Sequence, residues 1–212
     1  MNATMLENGA RLRGIYAIVN DPGPDPQRIA GAAIDAGVRI LQYRAKRGID
    51  ARRLRALRAL TARAGALLIV NDDWRAALEF GCDGVHLGPG DDGFGDLAPV
   101  RAALGRRLLG VSCGTCEEAR GATAAGADYV GVGSVYATAS KADAGPPIGL
   151  EGLRAVAAAT PLPVAAIGGI GLSNVSDVAR TGVAMAAVIS AIADSADPRA
   201  AAAALVGAWR AP

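Results

Sequence analysis

The stretch Gly37-Val38-Arg39-Ile40-Leu41-Gln42-Tyr43-Arg44-Ala45-Lys46 holds the pattern from which the fold is read. Gly37 ends a helical pattern, residues 38–43 form an apolar run of strand length, and a polar tail follows. Gly81, Gly126 and Gly182 end helical patterns in the same way, each just before another apolar run. Successive glycines of this set are 44, 45 and 56 residues apart, and a repeat of that length fits one βαβα unit. Four units give eight strands, expected at residues 15–19, 38–43, 66–70, 84–87, 108–112, 129–133, 163–167 and 184–189. Short apolar strands separated by helices imply a parallel sheet covered by those helices. The expected fold is therefore α/β, a single-domain (β/α)8 TIM barrel over residues 14–212 behind an N-terminal extension, 1–13. A doubly wound open sheet is the structural alternative. The longer last interval places an extended loop, 134–148, after strand six.

Punctuation supports the helices. Thr115 with Glu118 three residues on reads as a capping box, and Asp197-Pro198 reads as an N-cap followed by proline at the first helical position. The helix that starts there places Ala202, Leu205, Val206 and Trp209 on one face, suited to cover the outside of a sheet.

Composition narrows the function classes. The chain has 212 residues, 51% of them hydrophobic, enough for one substantial core and short for two. Its 22 basic and 20 acidic residues leave a net charge of +2, which gives no reason to expect nucleic acid or an anionic membrane as partner. No apolar stretch approaches the roughly 18 residues of a membrane span, and the first 13 residues lack the apolar core of a secretory signal. Three cysteines do not form a disulfide framework. A soluble, cytoplasmic protein acting on small molecules is expected, and a homo-oligomer is compatible with this reading.

A barrel builds its active site from loops at the carboxyl ends of its strands, and the polar residues fall there. Strand two ends in Gln42, Arg44 and Lys46, which alternation turns to one side. Two cations and an amide at one point suit a polyanion, because an arginine fork grips phosphate oxygens and lysine adds a compact charge. Strand three ends in Asn71-Asp72, strand four in His86 and Gly88 with Asp91 close behind, and strand five in Ser112. Strand six runs into Thr138-Ala139-Ser140-Lys141, strand seven ends in Gly168-Gly169, and strand eight in Ile189-Ser190.

Asp72 and Asp91 suit Mg²⁺, which keeps several waters and takes one or two carboxylates together with substrate phosphate oxygens. Against that reading, Asp72 could cap the helix after strand three, although Asp73 is the better cap. Asp91 could serve only the turn in the glycine-rich loop, with Asp92 as its rival. Gly168-Gly169 and Ile189-Ser190 follow strands seven and eight, where barrels commonly bind a phosphate. Cys113-Gly114-Thr115-Cys116 has redox spacing but lacks a thioredoxin-like setting, and with one histidine the chain cannot complete a usual zinc site. His86 reads as a packed, hydrogen-bonded histidine before it reads as a general base.

The chain resembles the thiamine-phosphate synthase family from about Gly14 to Trp209. The resemblance lies in Gln42-Tyr43-Arg44-Ala45-Lys46, Asn71-Asp72, Asp83-Gly84-Val85-His86-Leu87-Gly88 with Asp91, Gly110-Val111-Ser112 and Gly126-Ala127-Asp128-Tyr129-Val130-Gly131. It continues through Thr138-Ala139-Ser140-Lys141, Ile167-Gly168-Gly169-Ile170 and Val188-Ile189-Ser190-Ala191-Ile192. The family joins an aminopyrimidine methyl diphosphate to a thiazole phosphate carboxylate, releasing diphosphate and CO₂. The resemblance implies a transferase in which Gln42, Arg44, Lys46, Asn71, Ser112 and Lys141 contact the pyrimidine diphosphate. Arg44, Lys46, Ser112 and Lys141 would then be catalytic, and Asp72 and Asp91 would hold Mg²⁺. Thr138, Ser140, Gly169, Ile189 and Ser190 would bind the thiazole phosphate.

Departures are Ala45 where an acid is common, Pro89 where glutamine often stands, Ser134 and Ala137 where prolines frame the loop, and Ser140 for threonine. They predict weaker support for the strand-two cluster and a looser strand-six loop. They also keep two alternatives open: a thiazole tautomerase of the same superfamily, which needs neither Mg²⁺ nor diphosphate, and a non-catalytic binding paralogue.

Overall fold

A computed structural model describes residues 11–138 and 145–211. Its strands are β1 (Gly14–Asp21), β2 (Ile40–Ala45), β3 (Leu67–Asn71), β4 (Gly84–Leu87), β5 (Leu108–Cys113), β6 (Tyr129–Val132), β7 (Val164–Ile167) and β8 (Met185–Val188). Between them lie α1 (Pro26–Asp35), α2 (Ala51–Arg63), α3 (Trp74–Glu79), α4 (Leu97–Leu104), α5 (Cys116–Ala124), α6 (Gly149–Ala158) and α7 (Val175–Ala179). After β8 come α8 (Ser190–Ala193) and α9 (Pro198–Arg210). The strands pair in parallel in sequence order, and β8 returns to β1 with Ile15 opposite Ala186 and Ala17 opposite Val188. That last pairing closes a (β/α)8 barrel and excludes the doubly wound sheet.

The repeat has a conformational cause. Gly37, Gly81, Gly126 and Gly182 hold φ of 99°, 63°, 80° and 83°, a left-handed conformation that lets the chain leave a helix and that favours glycine. The same exit explains why β2 starts later than residue 38. The Val38 N–H donates to the Ala33 carbonyl at 3.0 Å, finishing α1, so the ladder begins at Ile40. Strand one runs two residues past its expected end, because Asn20 and Asp21 still pair with Arg44 and Ala45.

Helix starts follow the expected chemistry. The Thr115 hydroxyl accepts the Glu118 N–H while Glu118 accepts the Thr115 N–H, so the capping box is formed. Asp197 accepts the Ala200 N–H ahead of Pro198. α9 buries Ala202 and Leu205 and lays Val206 and Trp209 against the core between sheet and helices.

Two apolar layers result. The outer one fills the space between sheet and helices. The inner one, including Tyr16, Ile18, Ile40, Leu67, Ile69, Leu108, Tyr129 and Met185, fills the barrel itself. Leu12, just ahead of β1, is 1% exposed and belongs to this inner layer. On the side away from the site, Asp83 and Asp128 perform the same task one repeat apart. Each carboxylate accepts a backbone N–H of the preceding strand, from Leu68 at 2.9 Å and Leu109 at 2.8 Å, and each faces an arginine, Arg58 or Arg101. The helices among the described residues include none long and apolar enough to cross a membrane.

Candidate active site

The carboxyl ends of the strands open into a cavity of about 810 Å³. Gln42, Arg44, Lys46, Asn71, Asp72, Asp91, Ser112, Thr138, Gly169, Ile189 and Ser190 all line it. Residues from seven successive strand ends thus share one space. Ser140 and Lys141 lie outside the described residues.

On β2 the alternation holds: Gln42 and Arg44 face the cavity while Tyr43 packs into the outer core and Ala45 lies against it. Lys46 follows the strand's last residue, and its N–H donates to the Asp21 carbonyl at 2.9 Å. Its Nζ stands 3.3 Å from Asp72 Oδ2. The outer side of this rim is braced by Asp21, whose carboxylate accepts the Tyr43 hydroxyl at 2.6 Å and an Arg53 N–H. Burial pushes the Asp21 carboxyl up, but those two donors outweigh it and hold the group below the usual carboxylate range. An alanine at 45 therefore does not leave the strand end unsupported, because the brace comes from β1.

Asp72 has φ of 68°, the only left-handed non-glycine residue among those described. Such a conformation is uncommon and persists where surrounding bonds fix it. Here the Asp72 N–H donates to the His86 carbonyl at 2.9 Å, and Asp73 caps α3 by accepting the Ala76 N–H at 2.8 Å. The cap reading belongs to Asp73, which frees the Asp72 carboxylate for the cavity. Asp91 serves the turn and the cavity together: Oδ2 accepts the Gly88 N–H at 2.7 Å, and its own N–H reaches the Gly88 carbonyl. Asp92 points elsewhere, pairing with Arg75 and accepting the Trp74 indole N–H at 3.0 Å.

The Asp72 and Asp91 carboxyls line the same side of the cavity, close enough for each to oppose the other's charge. Burial, and then this neighbour, push Asp91 up to about 6, against the opposing pull of the Gly88 N–H and Lys46. Two hard oxygen donors that repel one another and sit beside open space form a set that a divalent cation satisfies. The residues present therefore fit Mg²⁺.

Across the cavity, Gly168 and Gly169 let the strand-six loop pass at contact distance. A Cβ on Gly168 would lie 2.7 Å from Ser134 Cα, and one on Gly169 would lie 2.4 Å from the Ala137 carbonyl oxygen. The base of that loop is tied by backbone bonds although Ser134 and Ala137 are not prolines. Val135 and Tyr136 donate N–H bonds to Ile167 and Gly168, and Ile148 and Gly149 donate back to Ser134 and Val135. Ser190 opens α8 and is exposed at the rim.

Neither the Cys113–Cys116 pair nor His86 is set up as an activated group. Cys113 is buried in the outer core, where burial pushes its thiol up to about 12, and Cys116 is a free thiol half-buried on α5. His86 is packed: Nδ1 meets the Tyr129 hydroxyl at 3.1 Å and Nε2 meets Ser112 Oγ at 3.0 Å. Tyr16 and Tyr129 escaped the reading of the sequence, since each sits inside an apolar run and looks like core. Their one sequence signal was a phenol at an inward position of a strand.

Residues 15–192 match the family model for thiamine monophosphate synthase. A thiamine-phosphate synthase of Anaeromyxobacter dehalogenans is 49% identical over 205 residues, covering 95% of this chain and 90% of the relative. One from Moorella thermoacetica is 49% identical over 80% of this chain and 81% of its own. Among solved structures, thiamine phosphate pyrophosphorylase from Pyrococcus furiosus superposes with a TM-score of 0.86 at 34% identity, covering 95% of this chain and 97% of that one. With this agreement in sequence, fold and length, the chain belongs to the thiamine monophosphate synthase family and is a transferase.

Proposed function

We propose that this cavity joins an aminopyrimidine methyl diphosphate to a thiazole phosphate carboxylate, releasing diphosphate and CO₂ and forming thiamine phosphate, in a Mg²⁺-dependent, cytoplasmic reaction. The observation that carries the reading is the Asp72 and Asp91 carboxyl pair facing Lys46 and Arg44 in one cavity. Carboxylates and cations gathered around the same space suit a diphosphate bound together with a divalent cation. A tautomerase has no diphosphate to neutralise, so this charge pattern favours the synthase.

Asp72 and Asp91 would hold the Mg²⁺, which when bound neutralises charge on the departing diphosphate. Arg44 and Lys46 grip the diphosphate oxygens, and Lys141 joins them by family resemblance. Gln42, Asn71 and Ser112 orient the pyrimidine. As the carbon–oxygen bond to diphosphate breaks, an electron-rich pyrimidinylmethyl cation remains, and the thiazole nitrogen attacks it to form the new carbon–nitrogen bond. The bond to the carboxylate then breaks, CO₂ leaves, and the ring carbon keeps that electron pair and takes a proton from water. Thr138, Ser140, Gly169, Ile189 and Ser190 hold the thiazole phosphate at the distance this attack needs. No protein nucleophile takes part.

The test is to incubate pure protein with both substrates, with Mg²⁺ and with EDTA. Metal-dependent diphosphate release matched by thiamine phosphate formation supports the proposal. Isomerisation of the thiazole alone selects the tautomerase, and binding without product selects a non-catalytic paralogue.

A further inference from the structure

Along the cavity floor, five side chains form one hydrogen-bonded chain across the barrel, and all but Tyr129 line the cavity. Gln42 Nε2 donates to the Tyr16 hydroxyl at 2.8 Å, and the Tyr16 and Tyr129 hydroxyls lie 2.9 Å apart. Tyr129 reaches His86 Nδ1 at 3.1 Å, and His86 Nε2 reaches Ser112 Oγ at 3.0 Å. The two ends come from β2 and β5, and both line the cavity.

The chain is held as a unit. Tyr16 and Tyr129 pack edge to face with centroids 6.1 Å apart, and His86 lies 5.5 Å from the Tyr129 ring. Room for the rings is made by glycines: a Cβ on Gly110 would lie 2.2 Å from Tyr129 Cζ, and one on Gly131 would lie 2.9 Å from His86 Cε1. Tyr16 is 1% exposed and Tyr129 is fully buried, so burial keeps both phenols protonated.

Counting hydrogens gives the chain a direction. Each phenol has one hydrogen to give, and an uncharged imidazole has one N–H. With Gln42 donating to Tyr16, the Tyr16 hydrogen goes to Tyr129 and the Tyr129 hydrogen to His86 Nδ1. For an uncharged His86, this direction puts the imidazole hydrogen on Nε2, facing Ser112 Oγ. This leaves the Ser112 hydroxyl as a donor to the cavity and the Gln42 carbonyl oxygen as an acceptor. Turning one link alone would oppose two hydrogens or two lone pairs, which is most costly at the buried Gln42–Tyr16 and Tyr16–Tyr129 links and less so at the half-buried His86. The links therefore reverse together or not at all.

We propose that Tyr16, Tyr129 and His86 are positioning residues that couple the hydrogen-bonding sense of Gln42 to that of Ser112. The cavity then reads the edge of a heteroaromatic ring, an amino donor beside a ring-nitrogen acceptor, from two sides as one unit. This rests on the function proposed above, and it adds what sets ring selectivity. An analogue whose amino group is replaced by a carbonyl presents the opposite edge, and to accept it the whole chain must reverse.

The experiment measures, by calorimetry with Mg²⁺, the Kd of the aminopyrimidine methyl diphosphate and of its oxo analogue for wild type, Tyr129→Phe and Tyr16→Phe. Wild type should prefer the amino compound, and cutting the chain should lower that preference about tenfold, while affinity for inorganic diphosphate stays unchanged. Retained preference in a folded Tyr129→Phe or Tyr16→Phe protein overturns the coupling. Should both variants fail to fold, a cycle of Gln42→Met and Ser112→Ala decides: non-additive losses for the amino compound support the coupling, and additive ones overturn it. Wild type that binds neither pyrimidine compound refutes the functional reading itself, a result distinct from binding both without preference, which refutes only the coupling.

Discussion

Replacing Asp91 by asparagine separates the charge of this side chain from its place in the turn. The new amide oxygen can still accept the Gly88 N–H that Asp91 holds at 2.7 Å, so the turn keeps its bond. What disappears is a carboxylate whose charge Asp72 opposes. In the folded protein Asp91 ionises near 6 instead of 3.8, because burial and then Asp72 oppose its charge. That displacement is equivalent to about 3 kcal/mol at full strength, and solvent on the open side of the cavity screens it to about 1 kcal/mol. The sign follows from proton binding. The folded state holds this proton more tightly than the unfolded chain, so stability is lost as pH rises from the unfolded value through about 6. Asp91→Asn should therefore match wild type in acid and, in EDTA at neutral pH, melt about 2–4 °C higher. Adding Mg²⁺ and diphosphate should reverse the order, since the variant has lost half of the carboxylate pair, and turnover should fall about a hundredfold. Thermal melts across pH, with EDTA and with Mg²⁺, read both effects. A variant that melts below wild type at neutral pH without metal, or that keeps the wild-type response to Mg²⁺, refutes the reasoning.

Lys46→Met should raise the KM for the pyrimidine diphosphate about tenfold while moving Tm little, because the Lys46–Asp72 pair is partly exposed and contributes little to folding; steady-state kinetics and melting check both. Gly110→Ala places a methyl group 2.2 Å from Tyr129 Cζ, and displacing that ring should cost about 1–3 kcal/mol in denaturant unfolding. Asp21→Asn should lower Tm at neutral pH. Since the folded Asp21 carboxyl lies below the usual range, its contribution is present above the unfolded value and lost as pH falls through the folded one, so variant and wild type should converge in strong acid.

Much of the fold was legible because its signals are local. A glycine that must take positive φ after a helix and an aspartate or threonine that caps the next helix act over a few residues, so Gly37, Gly81, Gly126, Gly182, Thr115 and Asp197 could be read one by one. Boundaries were less legible where a neighbouring strand decides them. Asn20 and Asp21 belong to β1 only because Arg44 and Ala45 are there to pair with. The brace that Asp21 gives Tyr43 and Arg53 is hidden for the same reason, since its partners lie 22 and 32 residues away.

Strand alternation and barrel order send Gln42, Arg44, Asn71 and Ser112 to the rim whatever their neighbours are, so their place there can be read from local pattern alone. How they meet is a property of the closed barrel. The left-handed turn that frees Asp72 from the cap, its nearness to Asp91, and the line of hydroxyls from Gln42 to Ser112 each depend on side chains from separate strands closing on one axis. A local pattern fixes the direction in which a side chain leaves the backbone. Hydrogen-bond polarity and the mutual repulsion of carboxyls depend on distances across the barrel, which exist once β8 has paired with β1.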